Sequence, residues 1–225
     1  MRLGDLCWFA ALGCIILFLL LPTTNEAFVA ANRAAPVAMG FAKFAILATM
    51  GELLALRIVG GEWRRPTGLV WRALVWGLLG IVIVLMFTVF SSGVTAAMAQ
   101  GLLPGGQGPA GTLATAFWIS TVMNLAFAPT FMAVHRLTDT FIDLAGGQFA
   151  NFGQVSLRKA VGLIDWQGFI SFVVLRTLPL FWIPAHTVTF LLPAEYRVLM
   201  AAFLSIALGA ILAFAKRRPA LRRVK

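Results

Sequence analysis

Three residues in this chain carry charge where neighbouring side chains carry none: Lys43, Glu52 and Arg176 each lie well inside an otherwise apolar run. A charge at the centre of a membrane helix costs about 2.5 to 3.5 kcal/mol on an insertion scale, so something must offset it. Two kinds of chemistry do so. A structural ion pair between packed helices neutralises the charges and holds the helices together. A water-filled lining leaves them solvated and lets them select what passes. Near the end of a helix, as at Arg57, snorkelling suffices. The sequence brings Glu52 and Arg176 to depths at which they can share one polar lining, with Lys43 at its outer end. Glu52 is about 8 Å from Arg57 along its helix, and Arg176 about 16 Å beyond Asp165.

A second constellation is the stretch FWIPAHTVTFLLPAEYRVL, residues 181–199. From Asp165 to Pro193 one continuous α-helix would measure about 42 Å, longer than a hydrocarbon core of about 30 Å. Pro179 and Pro184 each remove a backbone donor, which predicts a departure from regular helix there. Carbonyls freed in this way must find Thr177, Thr187 or Thr189 hydroxyls, packed neighbours or water, because lipid offers no partners. Thr187 therefore joins the candidate polar lining, and the Pro184 region its outer mouth. Trp182 and Tyr196 suit a membrane–water interface.

The elements that position these residues follow from composition. With 60% hydrophobic and 12% charged residues, the chain is far from the roughly one-quarter charged content of a soluble domain. Apolar runs at about 6–22, 36–58, 69–98, 112–135, 166–192 and 197–215 each approach the roughly 20 residues of a spanning helix. These runs predict an all-α polytopic transmembrane bundle of about six spans, the fifth broken by proline. Residues 1–30 read as an N-terminal signal anchor that is not cleaved, residues 31–215 as the bundle, and residues 216–225 as a basic tail. No connection between runs exceeds about thirty residues, so no soluble catalytic domain is expected.

The net charge of +10 follows topology rather than a nucleic-acid face. Basic residues concentrate in 57–72, in 136–159 and in the tail KRRPALRRVK, whereas 99–111 has no charge and Arg33 and Arg197 are each accompanied by a glutamate. This alternation predicts both termini on the cytoplasmic or matrix side. It points to a bacterial plasma membrane or a mitochondrial inner membrane, and to anionic lipid headgroups as the partners of the tail. Cys7 and Cys14 share one helical face and read as reduced packing thiols. His135 reads as an interfacial residue beside Arg136. No HExxH, paired-cysteine or GxSxG pattern occurs, so no metal, cofactor or enzymatic activity is expected. The GG and GxG of 99–111 follow no strand and read as a flexible turn.

The segment WIPAHTVTFLLPAEYRVLMAAFLSIALGAILAF resembles the C-terminal signature of the twenty-two-kilodalton peroxisomal membrane protein family, which includes the Mpv protein of the mitochondrial inner membrane. Its elements here are Trp182 and Pro184, the second proline Pro193, and Tyr196 with Arg197 opening the last helix. PVAMGFAKFAILATMGELLAL resembles the family's first helix, and APTFMAVHRLTD and LRKAVGLIDWQGF resemble two further segments. The resemblance covers most of residues 36–216; residues 1–30 and 99–111 are additional to the family's four spans. It implies a helical membrane protein associated with passage of small solutes. The leading expectation is a channel-like protein conducting small solutes, with self-association into a homo-oligomer left open. The alternative is a non-transporting membrane organiser or assembly subunit, and a membrane enzyme ranks third.

Overall fold

The computed structural model describes residues 2–222, with side chains to residue 214. All regular structure among the described residues is helical. Helices α1 (Leu3–Leu20), α3 (Pro36–Gly60) and α4 (Leu69–Ala99) are each long and apolar enough to cross a membrane. The same holds for Trp166–Leu191 and for the Ala194–Phe214 part of α10 (Ala194–Arg222). A sixth span is the pair α5 (Gly108–Ala126) and α6 (Ala128–Leu144), bent by 47° at Phe127. The molecule is thus a polytopic helical integral membrane protein with five spans, or six when the bent pair counts as one.

Prolines mark where helices begin. Pro22, Pro36, Pro109, Pro129 and Pro184 all sit in the first turn of their helices, where no intrahelical N–H donor is required. Two of these starts differ from the sequence reading. Residues 23–35, expected as a connection, form the amphipathic helix α2 (Pro22–Ala34), which buries Phe28 and Asn32 on one face. Residues 136–144, expected in a basic connection, continue α6, because carboxylates on that turn find a guanidinium on α4. A six-residue 3-10 helix (Phe149–Gln154) and the short α7 (Leu157–Leu163) complete that connection.

The fifth span departs from α geometry where its prolines lie. After one turn of α8 (Trp166–Gly168) the backbone winds as a π-helix from Phe169 to Trp182, then as α9 (Ile183–Leu191). The wider π turn advances less per residue, which shortens a segment too long for the bilayer as pure α-helix. Pro179 lies inside the π segment and Pro184 in the first turn of α9. Thr177, Thr187 and Thr189 hydroxyls donate to Phe172, Ile183 and Ala185 carbonyls at 2.7–3.0 Å, so the threonines do cap the backbone of this span.

Glycine sets the closest helix contacts. A Cβ on Gly80 of α4 would press on the Gly40 carbonyl of α3, and one on Gly51 would lie 3.0 Å from the Ile206 Cα of α10. Gly209 faces Gly51 and Ala55 in return, so the small-residue pair of α3 receives α10. Helix α3 is therefore the axis of the bundle, flanked by α4 and α10. Helix α1 lies at the periphery. Only its Trp8 is buried, donating from Nε1 to the Met50 carbonyl at 3.1 Å; Leu12, Ile15 and Leu19 pack half-buried against the core, and most of the remaining apolar side chains of α1 are exposed.

Polar contacts order the two ends. Asp5 at the start of α1 pairs with Arg57 at the end of α3 at 2.8 Å and accepts from Trp63 Nε1 at 2.9 Å. Trp71 stacks on Phe149 and meets Phe152, joining the first turn of α4 to the connection after α6. At the opposite end, Glu195 pairs with Arg33, and the Tyr196 hydroxyl donates to Asn25 Oδ1 at 2.8 Å. Helices α3 and α10 run parallel, so the start of α1 and the far end of α10 share one end of the bundle with the connections at 61–68 and 145–165. The uncharged connection at 100–107 lies at the other. This is the alternation that the basic residues predict. The tail's charged side chains lie outside the described residues, and so does its expected contact with anionic lipid.

Candidate functional site: two cavities in the bundle

A central, partly open cavity of about 280 Å³ lies between α3, α4, α5, α6, the fifth span and α10. Its walls are mostly apolar, and its polar groups gather in two places. At the connection-rich end stand Glu52 of α3, Trp76 of α4, and His135 and Asp139 of α6. Arg72, buried at the start of α4, organises this cluster. Its guanidinium reaches Glu52 Oε1 at 2.8 Å, Asp139 at 2.8 Å and Asp143 at 2.7 Å, and its Nε donates to the Thr67 carbonyl at 2.9 Å. Within this cluster one guanidinium thus faces three carboxyls. The Trp76 and His135 rings lie against each other, tilted by 38° with centroids 4.1 Å apart. Glu52 Oε2, Trp76 Nε1 and His135 Nε2 are buried without a hydrogen-bond partner among the described residues.

The second polar group lies deeper. Asn124 of α5 is 1% exposed and sends Nδ2 to the Ser120 carbonyl at 2.8 Å and to His186 Nδ1 at 3.1 Å. Because His186 Nδ1 accepts there, its ring proton is on Nε2. Ser120 Oγ in turn donates to the Ile183 carbonyl at 2.7 Å, fixing α5 against the start of α9. Trp182 lies beside the His186 ring, centroids 4.9 Å apart, and its Nε1 has no partner among the described residues.

A second cavity of about 460 Å³ opens toward the α2 end and is more polar, with Lys43, Ser91, Ser92 and Arg197 in its wall. Lys43 donates to Asn32 Oδ1 at 2.5 Å and lies 5.6 Å from the Phe28 ring centre, so a neutral amide and an aromatic face offset its burial. Arg197 donates from Nε to the Leu192 carbonyl at 2.9 Å and lies over Phe190. Phe87 of α4 lines both cavities, with Phe190 4.9 Å away and His186 5.8 Å away between ring centres.

The structure therefore brings some of the sequence candidates together and separates others. Glu52 and Trp182 line the central cavity; Lys43 and Arg197 line the second. Arg176 does not meet Glu52. It projects, exposed, from the outer face of the π segment, in neither cavity wall and with no ion pair among the described residues. The partner of Glu52 is Arg72, which the sequence reading assigned to topology. Thr187 spends its hydroxyl on Ile183 and lines neither cavity. Pro184 and Pro193 are exposed at helix starts, and Tyr196 is engaged with Asn25 and stacked on Phe28. His135, read as interfacial, belongs to the central cavity because α6 tilts inward after the bend at Phe127. The missed residues carried a signal in their spacing. His135, Asp139 and Asp143 recur every four residues, as do Ser120 and Asn124, and each set makes a polar stripe on one helical face.

The class defined by fold and site is a helical integral membrane protein with polar groups buried around internal cavities. Comparisons with protein-family models, with curated proteins and with solved structures found no match.

Proposed function

We propose that this protein is a channel-like membrane protein that passes small solutes through its two cavities, and that it is a divergent member of the twenty-two-kilodalton peroxisomal membrane protein family resembled by its sequence. The observation that carries the reading is that Phe87 lines both cavities. A single aromatic side chain thus stands between a polar vestibule at the α2 end and a mostly apolar chamber ending in the Arg72 cluster. An apolar constriction of this kind gates by excluding water, and movement of one ring joins the two spaces. The three carboxyls held against Arg72 disfavour an anion within that cluster itself. The host membrane is the bacterial plasma membrane or mitochondrial inner membrane, with both termini on the cytoplasmic or matrix side.

A second reading, a non-transporting organiser, is favoured by one observation. Glu52 and Lys43 are both engaged by neighbours, as residues that hold helices together would be. Solute release from liposomes separates the readings. Wild-type protein should release small neutral solutes faster than protein-free liposomes do, Phe87→Ala should raise the rate, and Phe87→Trp should lower it. Release at the protein-free rate by wild type and by Phe87→Ala alike would overturn passage and leave the organiser.

A further inference from the structure

We infer that the outer face of the π segment is a binding site for an anionic phospholipid of the leaflet at the connection-rich end, its phosphate held by Arg176 and approached along Gln167 and Ser171. Such a site stands whether or not solutes pass through the bundle.

Arg176 is exposed on a face where its neighbours Phe172, Leu175 and Leu180 are exposed and apolar, so its guanidinium meets lipid rather than protein. A charge in that medium is costly without an anionic partner. The chain does not supply one. Of its eight acidic residues, Glu52, Asp139 and Asp143 are bound to Arg72, and the other five lie outside the membrane-spanning helices or at their ends. A second copy of the chain therefore brings no free carboxylate to this depth.

Depth favours a headgroup. Arg176 is ten residues beyond Trp166, at most about 15 Å at the α rise and less in the π segment. Half of a hydrocarbon core is also about 15 Å, so the Arg176 Cα stays short of the midplane. Helical side chains lean toward the N-terminal end of their helix, which aims this one back toward Trp166 and the nearer leaflet. Trp166 is exposed and its Nε1 donates to the Val161 carbonyl at 3.0 Å, as suits a residue at the interface.

The π winding builds the approach. In an α-helix Ser171 and Arg176, five residues apart, would emerge about 140° apart around the axis. A π-helix makes residues five apart neighbours, and the Thr177 hydroxyl accordingly reaches the Phe172 carbonyl at 3.0 Å. Gln167, Ser171 and Arg176 thus form one exposed polar stripe that runs from the interface into the apolar face. The guanidinium offers paired N–H donors that match a phosphate. Arg158 and Lys159 of α7 are exposed at the same end and form no ion pair among the described residues, whereas Asp165 accepts from the Gly168 N–H at 2.8 Å. Three cations beside one carboxylate favour a headgroup of net negative charge over a zwitterionic one.

The test uses the full chain with Cys7 and Cys14 replaced by alanine and a bimane fluorophore attached at Leu180→Cys, on the exposed face beside Arg176. In liposomes, quenching by phosphatidylglycerol carrying a nitroxide on its acyl chain is compared with quenching by equally labelled phosphatidylcholine. Phosphatidylglycerol should reach half-maximal quenching at about tenfold lower mole fraction, the order that one or two basic residues beside an anionic headgroup provide. Arg176→Gln should reduce that preference to about twofold or less, and Arg176→Lys, a charge without the guanidinium fork, should keep part of it. Equal quenching by the two lipids, or a preference unchanged by Arg176→Gln, would overturn the assignment. Weak quenching by both would also overturn it, because protein rather than lipid would then cover this face. Loss of the preference in millimolar inorganic phosphate would assign Arg176 to a soluble anion instead, and loss only on neutralising the basic tail would assign the preference to the tail.

Discussion

Replacing Arg72 by methionine should be among the most damaging single changes in the bundle. The guanidinium side chain is 7% exposed, and its partners Glu52 and Asp139 are 21% and 19% exposed, so all three lie where solvent screens little. Asp143, at 57%, is screened by water and adds about 0–1 kcal/mol at most. Removing one member of a buried charged network while leaving its partners in place costs about 3 to 5 kcal/mol. For a chain of this size each kcal/mol is worth roughly 2–4 °C in melting temperature, which gives a drop of about 6 to 20 °C. Thermal unfolding in detergent, followed by tryptophan fluorescence, measures it. The cost comes from stranded carboxyls, so Arg72→Met combined with Glu52→Gln and Asp139→Asn should recover most of the loss. A melting temperature within about 3 °C of wild type for Arg72→Met, or a triple variant no more stable than the single, would refute this reasoning.

Two further outcomes follow from packing and topology. Gly80→Ala places a methyl against the Gly40 carbonyl, a backbone atom with little freedom to yield, and should lower stability by about 1–3 kcal/mol; Gly13→Ala on α1, where nothing lies within 4 Å, should melt like wild type. In a background with Cys7 and Cys14 replaced by alanine, Gly105→Cys and Arg65→Cys should react with impermeant thiol reagents from opposite faces of the membrane, and labelling of both from one face would contradict the six-span arrangement.

Much of the fold was legible because membrane helices obey local rules. Length, apolarity and loop charge are read directly from sequence, and they place the spans and their alternation. The missed helix α2 is polar enough to resemble a connection, and its order depends on burying Phe28 and Asn32 against the bundle, a tertiary effect. The candidate site was less legible. Lys43 and Glu52 stood out because they interrupt apolar runs. Arg72 did not, because an arginine at a helix start also serves as an orientation signal, and only the inward tilt of α6 brings Asp139 and Asp143 to it. Arg176 was misleading for the complementary reason. Depth along a helix is given by rise per residue, but the face on which a side chain emerges depends on winding, and a π-helix from Phe169 to Trp182 rotates each residue away from its α position. Asn124 and His186 are 62 residues apart in sequence, and no local pattern announces their 3.1 Å contact.

The claim on which the functional account depends is that solutes reach the central cavity. Ser205 of α10 lines that cavity and makes only a local bond, to the Ala202 carbonyl at 2.7 Å, so a cysteine there should be accommodated. In the background lacking Cys7 and Cys14, Ser205→Cys in sealed liposomes should react with a small, neutral, water-soluble thiol reagent, and faster when Phe87→Ala is added. A cysteine at 205 that stays unmodified in both backgrounds, yet reacts fully once the protein is denatured, would contradict the account.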